Sequence, residues 1–286
     1  MSLVADPIPV TPVKANPSLW LRQINAIFWL EIQKNFFSRR SVLIYLLALL
    51  PLMPLSLIAL LQPDSNEFRD FRQLSMTYAF LYNGLILQTV VFFGCAWIFM
   101  NLFRGELVDR SLHYYFLSSV RREVLVTGKY LSGLLTSVIL FGAVTIICML
   151  IVFFAHFYSS STRFFFDGPG FSQLFWYVTI TILACVGYGA FFLVVGLFVR
   201  NPIIPALLLY GWEWINFLLP PGLKKISVIH YLQSLVPVPM SEGPLAVLAE
   251  PTPAWMAVPS LLLFTGVVLF LASLHIRRME ISYAGD

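Results

Sequence analysis

The side chains able to do chemistry in this chain are few and scattered. Four histidines, His113, His156, His230 and His275, stand in four different segments, so no two share the spacing with which one helix face grips a metal. Cys95, Cys148 and Cys185 form no C-x-x-C pair and all fall in apolar runs. They read as small packing residues, not as a disulfide framework. Neither H-E-x-x-H nor G-x-S-x-G occurs, so a metalloprotease helix and a nucleophile elbow are both missing. Gly128-Lys129 has part of a phosphate cradle, but Tyr130 follows it and Glu123 stands where the first glycine belongs. The chain therefore has no Walker A loop of its own. No catalytic residue, no metal and no cofactor are expected in it.

Glu213 stands apart. It is the one charged residue in the run 201–223, and Trp212 and Trp214 flank it. An acid at the centre of a membrane span costs about 2.5–3.5 kcal/mol on insertion scales, so something must offset it. Counted from the cytoplasmic end of its span it lies about 12 residues in, roughly 18 Å along a helix, past the midplane toward the outside. Three readings stand open. Glu213 is an interfacial acid with its head in water, a gate or cargo contact in a shared cavity, or the partner of Lys224 or Lys225.

Residues 103–131 carry the second concentration of charge. Glu106, Asp109 and Arg110 stand at one end, Arg121, Arg122, Glu123 and Lys129 at the other, around an apolar and aromatic middle. Such a segment suits a membrane surface, or it docks a soluble partner whose register the charged rims fix.

These residues are positioned by a chain that is overwhelmingly apolar. Of its 286 residues 59% are hydrophobic and 11% charged, and the mean hydropathy is +0.82. A soluble domain carries about 25% charged residues, and disorder needs low hydrophobicity and high charge, so both classes are excluded. Charge-free runs cover 41–63, 73–103, 130–162, 168–199 and 251–276, with 201–223 broken by Glu213 alone. Each has the ~20 residues needed to cross a ~30 Å hydrocarbon core. Backbone groups in lipid must be satisfied internally, so each is expected to be helical. The ~10-residue alternating segments of a membrane β-barrel do not appear. The expectation is an all-α polytopic membrane protein with six transmembrane helices, at about 41–61, 76–102, 128–157, 172–199, 202–220 and 256–276.

The flanks complete the organisation. Pro7, Pro9, Pro12 and Pro17 make 1–17 a flexible cytoplasmic arm. Over 18–38, capped by Ser18, Trp20, Ile24, Ile27 and Phe28 share one face, while Arg22, Gln23, Asn25, Gln33 and Lys34 largely take the other. That is an amphipathic helix lying in the membrane interface. Pro51 and Pro54 should kink the first span. Ala184, Cys185, Gly187, Gly189 and Gly196 should let the fourth pack closely. Thirteen of the 18 Lys and Arg residues fall on alternate segments that include both ends, so the positive-inside rule places both termini, including the tail 277–286, in the cytoplasm. That leaves a cytoplasmic loop at 103–127 and an external apolar segment at 221–255. The same flanking accounts for the net charge of +4, and no nucleic-acid partner is expected.

The loop resembles that between the second and third spans of type-2 ATP-binding cassette exporter permeases, which run E-x-E/D-x-G-T-L-x-x-L-L-x-x-P-v-x-R-x-x-x-x-x-G-K. Glu106, Ser111 and Leu112 match the first block, and Arg122, Gly128 and Lys129 the second. Val108 sits where the second acid is usual, with Asp109 one place on. Arg110-Ser111 replaces Gly-Thr, and Ser119 takes the proline position. The amphipathic helix, the six spans and the external apolar segment extend the resemblance over nearly the whole chain. It implies an exporter permease in the cell membrane, paired with a second copy or a homologous permease. Two separate ATPase subunits would bind ATP and Mg and dock on Glu106, Asp109, Arg110, Arg121, Arg122, Glu123 and Lys129. The competing readings are a proton-coupled secondary carrier using Glu213, which finds no matching acid in spans one to three, and an intramembrane enzyme, which lacks a second polar group.

Overall fold

The computed structural model describes residues 17–38, 41–61, 71–108, 122–154, 159–199, 201–224, 227–238 and 252–278. Among these, every regular element is helical. The expected arm before Pro17 and the tail beyond Arg278 lie outside the described residues.

Helix α1 (Pro17–Phe37) covers the stretch in which a helix is expected before the first span. The first span is two helices, α2 (Ser41–Leu49) and α3 (Leu52–Leu60). Proline has no N–H to give to the preceding turn, and the chain tightens just before Pro51, where the Leu50 N–H donates to the Leu47 carbonyl at 3.2 Å. Pro54 falls in the first turn of α3, where its missing N–H removes no intrahelical bond. Helix α4 (Phe71–Leu81) continues through a ten-residue π-helix, Tyr82–Val91, into α5 (Phe92–Val108). The others are α6 (Arg122–Phe154), α7 (Ser159–Phe166), α8 (Gly170–Phe198), α9 (Ile203–Ile215), α10 (Pro221–Lys224), α11 (Val228–Gln233) and α12 (Ala254–Arg278).

Among the described residues, five stretches are long and apolar enough to cross a membrane: Ser41–Leu60, Phe71–Gly105, Arg122–Phe154, Gly170–Phe198 and Ala254–Ile276. The helix expected over 202–220 is shorter. Helix α9 has 13 residues, about 20 Å at 1.5 Å per residue. It passes into a 3₁₀ turn at Asn216–Leu218 and stops before Pro220-Pro221, so no single helix crosses there.

The middle of the bundle is formed by Phe71–Gly105 and Gly170–Phe198, each 67% buried, against 28% and 22% for the first and last stretches, which form its rim. Helices α5 and α8 are parallel, because their contacts advance together. Cys95 meets Cys185, Phe99 packs on Gly189, and the Met100 backbone packs on Gly196. The small residues expected to allow close approach do so: a Cβ on Gly196 would fall 2.8 Å from Met100 Cα. Helix α6 runs against both, with Gly133 on Phe99 and Gly94 on Phe141, and with the Tyr130 hydroxyl donating to the Val186 carbonyl at 3.0 Å.

Helix α12 is parallel to α8, with Leu261 near Gly187 and the His275 ring stacked on Phe198 at 3.8 Å. Two consecutive long helices running the same way require the chain to return between them. Helix α9 makes the return. Its Tyr210 ring reaches Phe92 at 5.4 Å and Phe93 at 4.7 Å, and its Glu213 reaches Tyr188. We term the end where α5, α8 and α12 finish and α6 starts the basal end.

Candidate functional site

At the basal end the amphipathic helix is tied into the bundle by charge. Ile24, Ile27 and Glu31 share a face of α1 at helical spacing, and that face meets α6 at Gly128, where an added Cβ would touch Ile27 at 3.0 Å. The missing side chain of Gly128 lets the helices close, and the next residue, Lys129, turns into the gap. Its side chain is fully buried. The ammonium donates to Glu31 Oε1 at 2.7 Å and to the Leu102 carbonyl at 2.8 Å, and it stands 5.4 Å from the centre of the Phe103 ring. Glu31 is 3% exposed and also receives Lys34 at 3.4 Å. Three elements, α1, α5 and α6, thus meet on one ammonium.

The other residues that the sequence singled out for docking fall as follows. Arg122 and Glu123 are part-buried and lie in the first turn of α6, where an acid complements the helix dipole. Arg122 donates from Nη1 to the Ile276 carbonyl at 2.9 Å, which ties the start of α6 to the end of α12. Glu106 lies near the end of α5. Asp109, Arg110 and Arg121 lie outside the described residues, as does the side chain of Glu106. Glu31 is the participant that sequence reasoning missed. The signal was there: an acid in register with Ile24 and Ile27 on the apolar face, where solvent would not hold it.

Glu213 forms the second locus. It is 3% exposed, which does not fit a carboxylate with its head in water. Helix α9 starts at Ile203, so Glu213 is about 15 Å along it, level with Tyr188 near the middle of α8. Its Oε2 accepts from the Ser227 hydroxyl at 2.7 Å and from the Ile229 N–H at 3.0 Å. One carboxyl thereby closes the chain reversal between α9 and α11. The expected apolar patch after Pro221 is packed inward: Ile229 and Leu232 are fully buried, and Val228 touches the α8 backbone at Gly187. Glu213 Oε1 and the Tyr188 hydroxyl are both buried and have no hydrogen-bond partner among the described residues.

A third polar group lies toward the opposite end. The Tyr82 hydroxyl bonds the Tyr177 carbonyl and Thr181 Oγ1, both at 2.9 Å, and Thr181 meets Thr145 Oγ1 at 3.2 Å. Tyr78 donates to the Thr145 carbonyl at 3.1 Å. These bonds join the helix carrying the π segment to α6 and α8. Gln233 of α11 donates to Asn83 Oδ1 in the π segment at 3.2 Å.

No family model, curated protein or solved structure matches the chain. The functional reading therefore stands on this geometry and on the motif in 103–129. Among the described residues the geometry brings no nucleophile and base together. It offers a basal end where α1 and the ends of α5, α6 and α12 are bonded together, and a buried acid at mid-length.

Proposed function

We propose that this chain is the membrane-spanning permease subunit of an ATP-binding cassette exporter, working with two ATPase subunits and a second permease. The observation that carries the reading is the three-way contact of Lys129 with Glu31, Leu102 and Phe103. It joins the amphipathic helix to the two helices that lead into and out of the charged segment 103–128. A force applied to that segment moves α1, α5 and α6 as one body, which is what an ATPase stroke needs in order to reach the spans. In this reading the membrane is passed six times, with both termini in the cytoplasm at the basal end. The parallel run of α8 and α12 supports it, because an odd number of passes must lie between them. Helix α9 and the segment 216–238 share that pass as a broken element, of the kind tolerated where protein buries the backbone. Purification from native membranes tests the assignment. An ATPase bearing Walker motifs should copurify with the chain, and vanadate-sensitive hydrolysis by the chain alone would end the proposal.

A further inference from the structure

We propose that the end of α9 is a binding site for one monovalent alkali cation, held by the free oxygens of Glu213 and Asn216. Glu213 and Asn216 are 3% and 4% exposed, while Trp214 and Ile215 between them are each more than half exposed. Asn216 keeps helical dihedrals, so a spacing of three sets both polar side chains on one face. That face points inward and the apolar pair points outward. Inside, each polar side chain has an oxygen without a hydrogen-bond partner among the described residues, Oε1 of Glu213 and Oδ1 of Asn216. Buried polar atoms without a partner call for a missing one, a water or an ion. Here both atoms are acceptors and both lie on the same face, which is the ligand pattern of a cation.

Charge selects the ion. Oε2 accepts from the Ser227 hydroxyl and the Ile229 N–H, and the carboxyl donates no bond among the described residues. That is the acceptor-only pattern of an ionised carboxylate. Neither donor is charged, and Glu213 takes part in no ion pair among the described residues. Buried charges are paired or hold metals. One monovalent cation brings the carboxylate and the neutral amide to zero net charge, whereas a divalent ion would leave an excess. Oxygen ligands without sulfur or imidazole suit a hard ion over a copper or zinc ion. The backbone points the same way. Helix α9 stops at Ile215 and passes into the 3₁₀ turn, so the carbonyls of its last turn bring partial negative charge to these side chains. Broken membrane helices hold sodium at such C-terminal ends.

The test needs neither ATPase nor cargo, so its failure leaves the permease reading standing. The full-length chain in lipid nanodiscs is titrated with radioactive sodium at constant pH and ionic strength, with N-methylglucamine as the replacing cation. The expected result is saturable binding of one sodium per chain, displaced by unlabelled sodium and not by choline. Glu213→Gln should abolish it. Asn216→Leu should weaken it by at least about tenfold, the low end of what losing a partner around a bound metal costs. Sodium should also raise the melting temperature of the wild type above that in N-methylglucamine, because it binds the folded chain alone, and should leave that of Glu213→Gln where it was. The wild-type response keeps the test decisive should a variant fail to fold. A wild type that binds no sodium would overturn the proposal and leave the two oxygens to water. So would equal binding by Glu213→Gln, or stabilisation by choline as strong as by sodium, which would make this a site for organic cations.

Discussion

Lys129 and Glu31 show what a buried ion pair does in an apolar protein. Pairing two desolvated charges gains little net stability, but removing one partner leaves the other uncompensated, at a cost of about 3–5 kcal/mol. The two halves are not equivalent. Glu31 keeps Lys34, half exposed at 3.4 Å, when Lys129 is lost. Lys129 is fully buried, so when Glu31 is lost its charge stays out of water, beside the Leu102 carbonyl and the Phe103 ring. Glu31→Gln should therefore lower the melting temperature in detergent more than Lys129→Met, and the double variant Glu31→Leu with Lys129→Met should recover most of the loss. Equal melting for all four chains would show the pair to be energetically silent.

Among elements, the α5–α8 contact is set by residues that lack side chains, and it ranks substitutions by what a new Cβ would meet. At Gly196 it would meet the Met100 backbone at 2.8 Å, which cannot rotate away. Gly196→Ala should cost about 1–3 kcal/mol, as overpacking does. At Gly142, inside α6, it would meet nothing within 4 Å, and Gly142→Ala should stabilise by up to about 1 kcal/mol through helix propensity. Urea or thermal melts of the two variants should move in opposite directions. Much at this scale was legible beforehand. Long charge-free runs gave five helices within a few residues, because apolar length is a one-dimensional property. Spacing of small residues gave the close face of α8. The π segment was not legible, since Tyr82–Val91 reads like any apolar stretch and its register follows from partners elsewhere. The early stop of α9 was half visible in Pro220-Pro221. The bond that fixes it, from Glu213 to Ser227 and Ile229, spans 14 to 16 residues and leaves no periodic trace.

For the whole molecule, the proposed six passes predict sidedness. In intact cells, an impermeant maleimide should miss Tyr115→Cys in a cysteine-free background and should label Glu242→Cys. External labelling at position 115 would reverse the assignment. Coupling belongs to the same scale. Under the permease proposal, Arg121→Glu should lower cargo-stimulated ATPase activity of the complex with the ATPase subunits while leaving insertion intact. Arg122→Glu should also remove the bond to the Ile276 carbonyl, so its melting temperature should fall below that of the wild type. The parallel pairing of α5 and α8 has a consequence for synthesis. Cys95 and Cys185 are 90 positions apart in the chain, and a ribosome adding about 5–20 residues per second takes roughly 5–18 s to make that stretch. During that interval the α5 residues that pack on α8, Cys95 and Met100 among them, lack that partner even after α6 is made. Assembly of the centre must wait for the fourth long helix, which leaves the nascent chain a window in which an insertase or a neighbouring helix has to shield it.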